Sequence, residues 1–257
     1  MNGTICMMPV SLGPSLCPDQ GPDGRPVSGV LAQVTQYVTA YRVDPDRLTA
    51  LLPPGYRSLR PVLRLNVEVL DQVKWLNNGS LTRVELVTPV EYPGKKGWLN
   101  LVTWEDDVDS VLVGREIYGI PKRYAELTVQ TQGPAFHLQA KRRGFCFLEM
   151  TFHRVGVEGG CPAEADNEGN FYPRYLPAIQ DRTAAAVDET VFTPVEAIDG
   201  KKEYCDCTFQ WHQADETQLP VGFPITQAIG GVPCIEVLGA YAVHFARTKR
   251  IGEQQLL

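Results

Sequence analysis

The sequence predicts a mainly β protein, an antiparallel sheet or barrel carrying a few short helices. Three observations point there. Runs rich in Val, Thr, Tyr and Phe recur along the chain and are separated by Gly, Pro and Asn. Residues 62–69 alternate, with Val62, Arg64, Asn66 and Glu68 on one face and Leu63, Leu65, Val67 and Val69 on the other. Helical patterns are few and short.

Taken in order, residues 33–42 are rich in Val, Thr and Tyr and read as the first long strand. Residues 44–52 open on Asp44-Pro45 and end at Pro53-Pro54-Gly55, which reads as a short capped helix. Strands are expected at 62–69, 81–90 and 99–104. A helix over 108–117 would be stopped by Gly119 and Pro121. Further strands are expected at 125–130, 136–141 and 145–153, then at 204–211 and 235–245. The polar, Gly-rich stretch 156–169 reads as a long loop. No internal repeat and no flexible linker is visible, so residues 1–257 are expected to form one domain. Residues 1–28, rich in Pro and Gly, are expected to form an arm.

The charged face of 62–69 fits two arrangements. In one, a half-exposed sheet holds its charges in water. In the other, a barrel encloses a polar site. The pattern taken alone favours the first.

Composition narrows the function classes. With 257 residues, 44% hydrophobic and 21% charged, the chain is long enough for a large core and is ordinary for a globular protein. Its net charge of −6 lacks the basic excess of a nucleic-acid binder. No window reads as a membrane-spanning helix. The mildly apolar start lacks the basic residues and the unbroken apolar centre of a secretory signal. Seven scattered cysteines argue against a disulfide framework. Cys205-Asp206-Cys207 falls short of a paired zinc knuckle, and the four histidines are far apart. The expectation is therefore a cytoplasmic protein with no metal, no cofactor, no nucleic-acid partner and no membrane partner.

The most informative window is Val113-Gly114-Arg115-Glu116-Ile117-Tyr118-Gly119-Ile120-Pro121-Lys122-Arg123. Its Gly-Arg-Glu, short spacer and Pro-Lys pair resemble the active-site segment of the acetoacetate decarboxylase family. Weaker similarity covers most of the chain: Tyr41-Arg42, Leu51-Leu52-Pro53, Pro89-Val90, Gly97, Tyr175-Leu176 and Pro233-Cys234-Ile235-Glu236. The resemblance implies a cone-like, largely antiparallel β-barrel, assembly into homo-oligomers, and an amine at Lys122 that forms an imine with a small keto substrate. A free lysine titrates near about 10.4, so a nucleophilic one must be shifted down by burial or a neighbouring cation. The family is itself a standard instance of that device. Arg123 stands where the family carries a second lysine. On a regular strand it would face away from Lys122, leaving burial to supply most of the shift.

The departures bear on the substrate. The resemblance places Val34 where the family has an arginine, with Gln33 and Gln36 as the nearest polar residues. Asn66 stands where it has a glutamate, with Glu68 two residues on. Arg83 stands where it has a second glutamate, with Glu85 sharing that face. Imine formation needs the lysine alone, whereas recognition of a β-keto carboxylate needs other partners. The expectation is a divergent lyase catalysing decarboxylation of a larger keto acid, or aldol addition, its reversal, or dehydration. Lys122 and Glu85 are its expected catalytic pair, with Glu68 and Tyr118 in reserve as acid/base groups. Arg123, Asn66, Glu68, Trp104, Tyr118, Arg115 and Glu116 are expected to bind substrate or tune the amine. The competing readings are a cyclase or isomerase working by acid/base chemistry without an imine, and a ligand-binding barrel that lost the chemistry.

Overall fold

Alternation in the sequence becomes two faces of one large sheet in the computed structural model of the chain. The structure describes residues 6–7, 15–16, 20–21, 23–25, 29–160, 167–195, 198–248 and 254–257. In chain order the strands are β1 (Cys6–Met7), β2 (Ser15–Leu16), β3 (Ala32–Arg42), β4 (Arg57–Ser58), β5 (Val62–Val73), β6 (Gly79–Tyr92), β7 (Lys95–Glu105), β8 (Lys122–Tyr124), β9 (Glu126–Gln132), β10 (Ala135–Arg142), β11 (Phe145–Glu158), β12 (Gly169–Pro177), β13 (Ala185–Pro194), β14 (Lys202–Trp211), β15 (Glu236–Arg247) and β16 (Gln255–Leu256). The helices are α1 (Pro45–Thr49), α2 (Val108–Glu116) and α3 (Phe223–Gly230).

Fourteen strands join one sheet in the order β16-β13-β12-β7-β6-β5-β3-β15-β14-β11-β10-β9, with β4 on β6 and β8 on β7. The pairings are antiparallel except β7 with β8 and β7 with β12. The sheet is thus largely antiparallel, as the sequence suggests, with two parallel contacts. A parallel neighbour requires a crossover, and α2 supplies it between β7 and β8.

Leu63, Leu65 and Val67 of β5, Val84 and Leu86 of β6, and Val102 and Trp104 of β7 turn to one face. There they meet Phe136, Leu138, Phe147 and Phe152 of the far half of the sheet. Tyr37 stacks on Phe136 with centroids 4.0 Å apart. Each fully buried Leu, Val or Phe contributes about 1.5–3 kcal/mol. The opposite face carries Arg64, Asn66, Glu68, Arg83, Glu85 and Glu105, and it lines a cavity. The charges of 62–69 therefore line a cavity and not an open sheet surface, contrary to what the pattern alone favours. Glu68 is only 2% exposed.

Both expected helices are present. Asp44 caps α1 by accepting from Asp46 N and Arg47 N, and Asp107 caps α2 by accepting from Ser110 N. β12, β13 and α3 are not among the elements the sequence predicts, and β11 runs to Glu158 into the stretch expected as loop. Most of the expected arm lies outside the described residues.

Candidate active site

Strand register assembles the site. In an antiparallel pair, directly opposed residues share a face. Gln36 on β3 faces Glu68 on β5, Glu68 faces Arg83 on β6, and Arg83 faces Glu105 on β7. A second row runs beside it. Asn66 faces Glu85, Glu85 faces Thr103, and Thr103 pairs with Lys122 across the parallel β7–β8 contact. Two ladders of polar residues thus cross the sheet and end at the lysine. They line a cavity of about 710 Å³, closed further by Tyr118, Tyr172 and Arg247.

Lys122 sits at the wall with 5% exposure. Its Nζ lies 2.8 Å from both carboxylate oxygens of Glu105 and donates a hydrogen bond to Oε2. It also donates to Ser110 O at 3.1 Å and Ser110 Oγ at 3.2 Å in the first turn of α2. Glu105 is 0% exposed, and its Oε1 accepts no hydrogen bond among the described residues. Burial pushes the Lys122 amine below the ordinary lysine value. Glu105 opposes that shift and the Arg83 guanidinium adds to it.

Arg83, Arg247 and the two glutamates Glu68 and Glu85 pair with one another. Arg83 Nη2 and Arg247 Nη2 reach Glu68 Oε2 at 2.5 and 3.0 Å, and Gln36 Nε2 donates to Glu68 Oε1 at 2.8 Å. Burial would raise the Glu68 carboxyl, but Arg247 and Arg83 outweigh it and hold it below the ordinary value. Glu85 accepts from Asn66 Nδ2 at 3.3 Å and lies 3.7 Å from Arg83 Nε. Arg64 stacks on the Trp98 ring at 4.0 Å, and its Nε has no hydrogen-bond partner among the described residues. Desolvation raises the Tyr172 phenol, so it stays protonated.

Of the residues singled out in the sequence, Lys122, Glu85, Asn66, Glu68 and Tyr118 meet at this cavity. Trp104, Arg115 and Arg123 do not. Their strand faces and the end of α2 turn them to a second pocket. Arg83, not Arg123, is the cation whose charge adds to the lowering of the amine. Glu116 lines neither pocket, and its backbone carbonyl accepts from Arg174 Nη2 at 2.9 Å. Glu105, Ser110, Arg64 and Arg247 also line the cavity, without a site role predicted from the sequence. Glu105 shares the face of Thr103 by the period of two, and Arg247 continues the Val243–Phe245 face by the same rule. Only strand order reveals what those faces meet. Val34, at the position of the family arginine, is fully buried among apolar side chains. Cations reach the cavity from β5, β6 and β15 instead.

The fold and site define a large mixed β-sheet that holds one desolvated lysine in a polar cavity. The sequence profile described as Acetoacetate decarboxylase (ADC) matches residues 7–247, and the chain belongs to that family. Acetoacetate decarboxylases of Burkholderia cenocepacia (strain HI2424) and Burkholderia multivorans (strain ATCC 17616 / 249) are each 33% identical over 92 residues, 36% of this chain. The match spans 37% of the length of each of these curated relatives. The acetoacetate decarboxylase structure from Legionella pneumophila subsp. pneumophila str. Philadelphia 1 shares the fold at TM-score 0.67 and 17% identity, over 91% of this chain and 93% of that one. The enduracididine biosynthesis enzyme MppR, solved with the condensation product of pyruvate and imidazole 4-carboxaldehyde, shares it at TM-score 0.67 and 16% identity, over 90% and 94%.

Proposed function

We propose that the chain is a carbon–carbon lyase that binds a keto acid as an imine on Lys122. The observation that carries this reading is the amine itself: desolvated, shifted down, and 2.8 Å from a buried carboxylate that can take its proton. Family membership supports lysine-based lyase chemistry in general.

In the proposed reaction Glu105 accepts a proton from the Lys122 ammonium. The freed amine adds to the substrate carbonyl, and loss of water gives the protonated imine. The imine draws electrons from the adjacent carbon, so a β-carboxylate leaves as carbon dioxide or an α-proton passes to a base. Either route leaves an enamine. A proton or an aldehyde carbon then adds to it, and hydrolysis returns the free lysine. Glu85, half-buried and hydrogen-bonded to Asn66, is the group proposed to move that α-proton. Glu68 is committed to two arginines and serves as an anchor.

The cavity favours a substrate pair larger than one small keto acid. Ligand pockets run from about 300 to 1,000 Å³, and 710 Å³ leaves room beside a bound three-carbon acid. MppR, with the same fold, was solved with the product of joining pyruvate to an aldehyde, which supports an aldol and dehydration reaction here. Arg64, stacked on Trp98 and lacking a carboxylate partner among the described residues, is the proposed holder of the substrate carboxylate.

The test is to incubate the protein with pyruvate, acetoacetate and larger keto acids in the presence of borohydride, and to weigh the intact chain. A mass gain mapped to Lys122, absent in Lys122→Arg, is the expected result. No adduct with any of these acids, together with full activity of Lys122→Arg, would overturn the imine reading. Carbon dioxide release and aldehyde consumption separate decarboxylation from aldol chemistry.

A further inference from the structure

The reverse face of the lysine strand carries a second pocket, of about 380 Å³, whose lining also includes Lys122. Trp104 on β7 pairs in register with Arg123 on β8. Both therefore face away from Thr103 and Lys122, and Trp104 with Phe147 forms an aromatic wall. Four arginines gather there: Arg115 at the end of α2, Arg123, and Arg142 and Arg143 at the β10–β11 hairpin. No aspartate or glutamate lines the pocket among the described residues. This is unusual in a chain whose net charge is −6.

The cluster is held in place. Arg115 Nη1 donates to the Lys122 carbonyl at 3.2 Å, and Arg142 lies over the Tyr124 ring at 5.0 Å. Arg143 has φ +53° in a two-residue hairpin turn, a position where Asn or Gly is the relaxed choice. Strain of that kind persists where the surroundings enforce it. Burial and the like charges of Arg115 and Arg142 all disfavour the charged form of half-buried Arg123. Like charges so placed gain stability when an anion enters between them, and guanidinium groups offer paired donors suited to planar or tetrahedral oxyanions.

We propose that this pocket is a binding site for a small multivalent oxyanion, a phosphate ester or a polycarboxylate, on the opposite side of β8 from the lysine cavity, with Lys122 lining both. The anion sits against Arg123 and Arg142, with Arg115 and Arg143 at its rim. Arg115 links it to the backbone of Lys122. The site stands whether or not the imine reading holds.

Thermal unfolding in inorganic phosphate and in citrate, each against chloride at equal ionic strength, tests it. Calorimetric titration of the same anions supplies the affinity. Saturating anion is expected to raise the midpoint by roughly 5 °C. The gain is expected to vanish in Arg123→Gln/Arg142→Gln and to persist in Arg64→Gln, which alters the other cavity. The turn variant Arg142→Gln/Arg143→Gln, confined to exposed positions, is expected to weaken binding at least tenfold and covers the case in which the first variant misfolds. A response to phosphate but not citrate assigns the ligand to the phosphate esters, and the converse assigns it to the polycarboxylates. A gain lost in Arg64→Gln and kept in the double variants places the anion in the lysine cavity and overturns the proposal. So does the absence of any gain in the unsubstituted chain, whatever the variants do to its assembly.

Discussion

Gly114 and Lys122 claim the same space: a Cβ built on Gly114 would lie 2.5 Å from Cε of Lys122 and 2.9 Å from its Nζ. The lysine stem runs across the bare backbone of α2 at the one position of that helix without a side chain in its way. This explains why a glycine sits within a nine-residue helix, where it costs about 1 kcal/mol relative to alanine.

Gly114→Ala follows directly. Helix propensity alone would make it favourable, but the methyl group must displace the lysine or lift α2. Overpacking of this kind costs about 1–3 kcal/mol. The variant is expected to unfold at lower denaturant than the unsubstituted chain and to lose most of its borohydride-trapped adduct. An adduct at full yield would show that the lysine has another way out of the wall.

Glu105→Gln isolates the proton acceptor. The carboxylate opposes the lowering of the Lys122 amine, so its removal leaves burial and Arg83 opposed only by the more weakly acting Glu85 and moves the amine further down. The pH at which adduct formation is half-maximal is expected to fall. Measuring adduct yield against pH for both proteins checks the sign, and an upward movement would refute the assignment.

Arg64→Gln tests the carboxylate holder. A charge-assisted hydrogen bond is worth about 1.5–3 kcal/mol, so KM for keto acids is expected to rise roughly 10–100-fold with little change in kcat. A simple ketone without a carboxylate should be unaffected. Equal losses on both substrates would make Arg64 a structural residue.

Glu68 governs acid stability. Its carboxyl is held below the ordinary 4.5 in the folded chain by Arg247 and Arg83. The resulting stabilisation is complete above that ordinary value and is lost as pH falls through the lower folded value. Glu68→Gln should therefore flatten the acid limb of the stability curve. It should also cost about 3 kcal/mol at neutral pH, because two partly buried arginines lose a shared buried anion. Denaturant titrations from pH 7 down to pH 3 read both effects.

The parts of this architecture legible in the sequence are those set by short periods. The alternation of β5 separates Leu63, Leu65 and Val67 from Arg64, Asn66 and Glu68, and the structure keeps that division. The Gly114…Pro121-Lys122 window marks the amine. The partners of the amine were not legible, because Glu105 and Lys122 meet only through the parallel β7–β8 register, and alternation carries no information on strand order. β12 was hidden by Pro173 and Pro177, which read as breaks yet occur within it. Arg247 ends β15, far along the chain from Glu68, and nothing local relates the two. The two neighbouring cations are likewise told apart only by the fold. Arg123 is adjacent in sequence and faces away, while Arg83 is remote in sequence and bears on the amine.

The crossover from β7 through α2 to β8 has a wider consequence. Glu105, Ser110, Gly114 and Lys122, the amine and the groups packed directly against it, all lie on one uninterrupted piece of chain. Asn66, Glu68, Arg83 and Arg247, which shape the opposing wall, come from strands on either side of that piece. In the proposed reaction, the nearest partners of the amine are therefore encoded by one short segment, and the wall facing it by several distant ones. Substitutions in β5, β6 or β15 can reshape the wall without touching the segment that carries Glu105, Ser110 and Lys122.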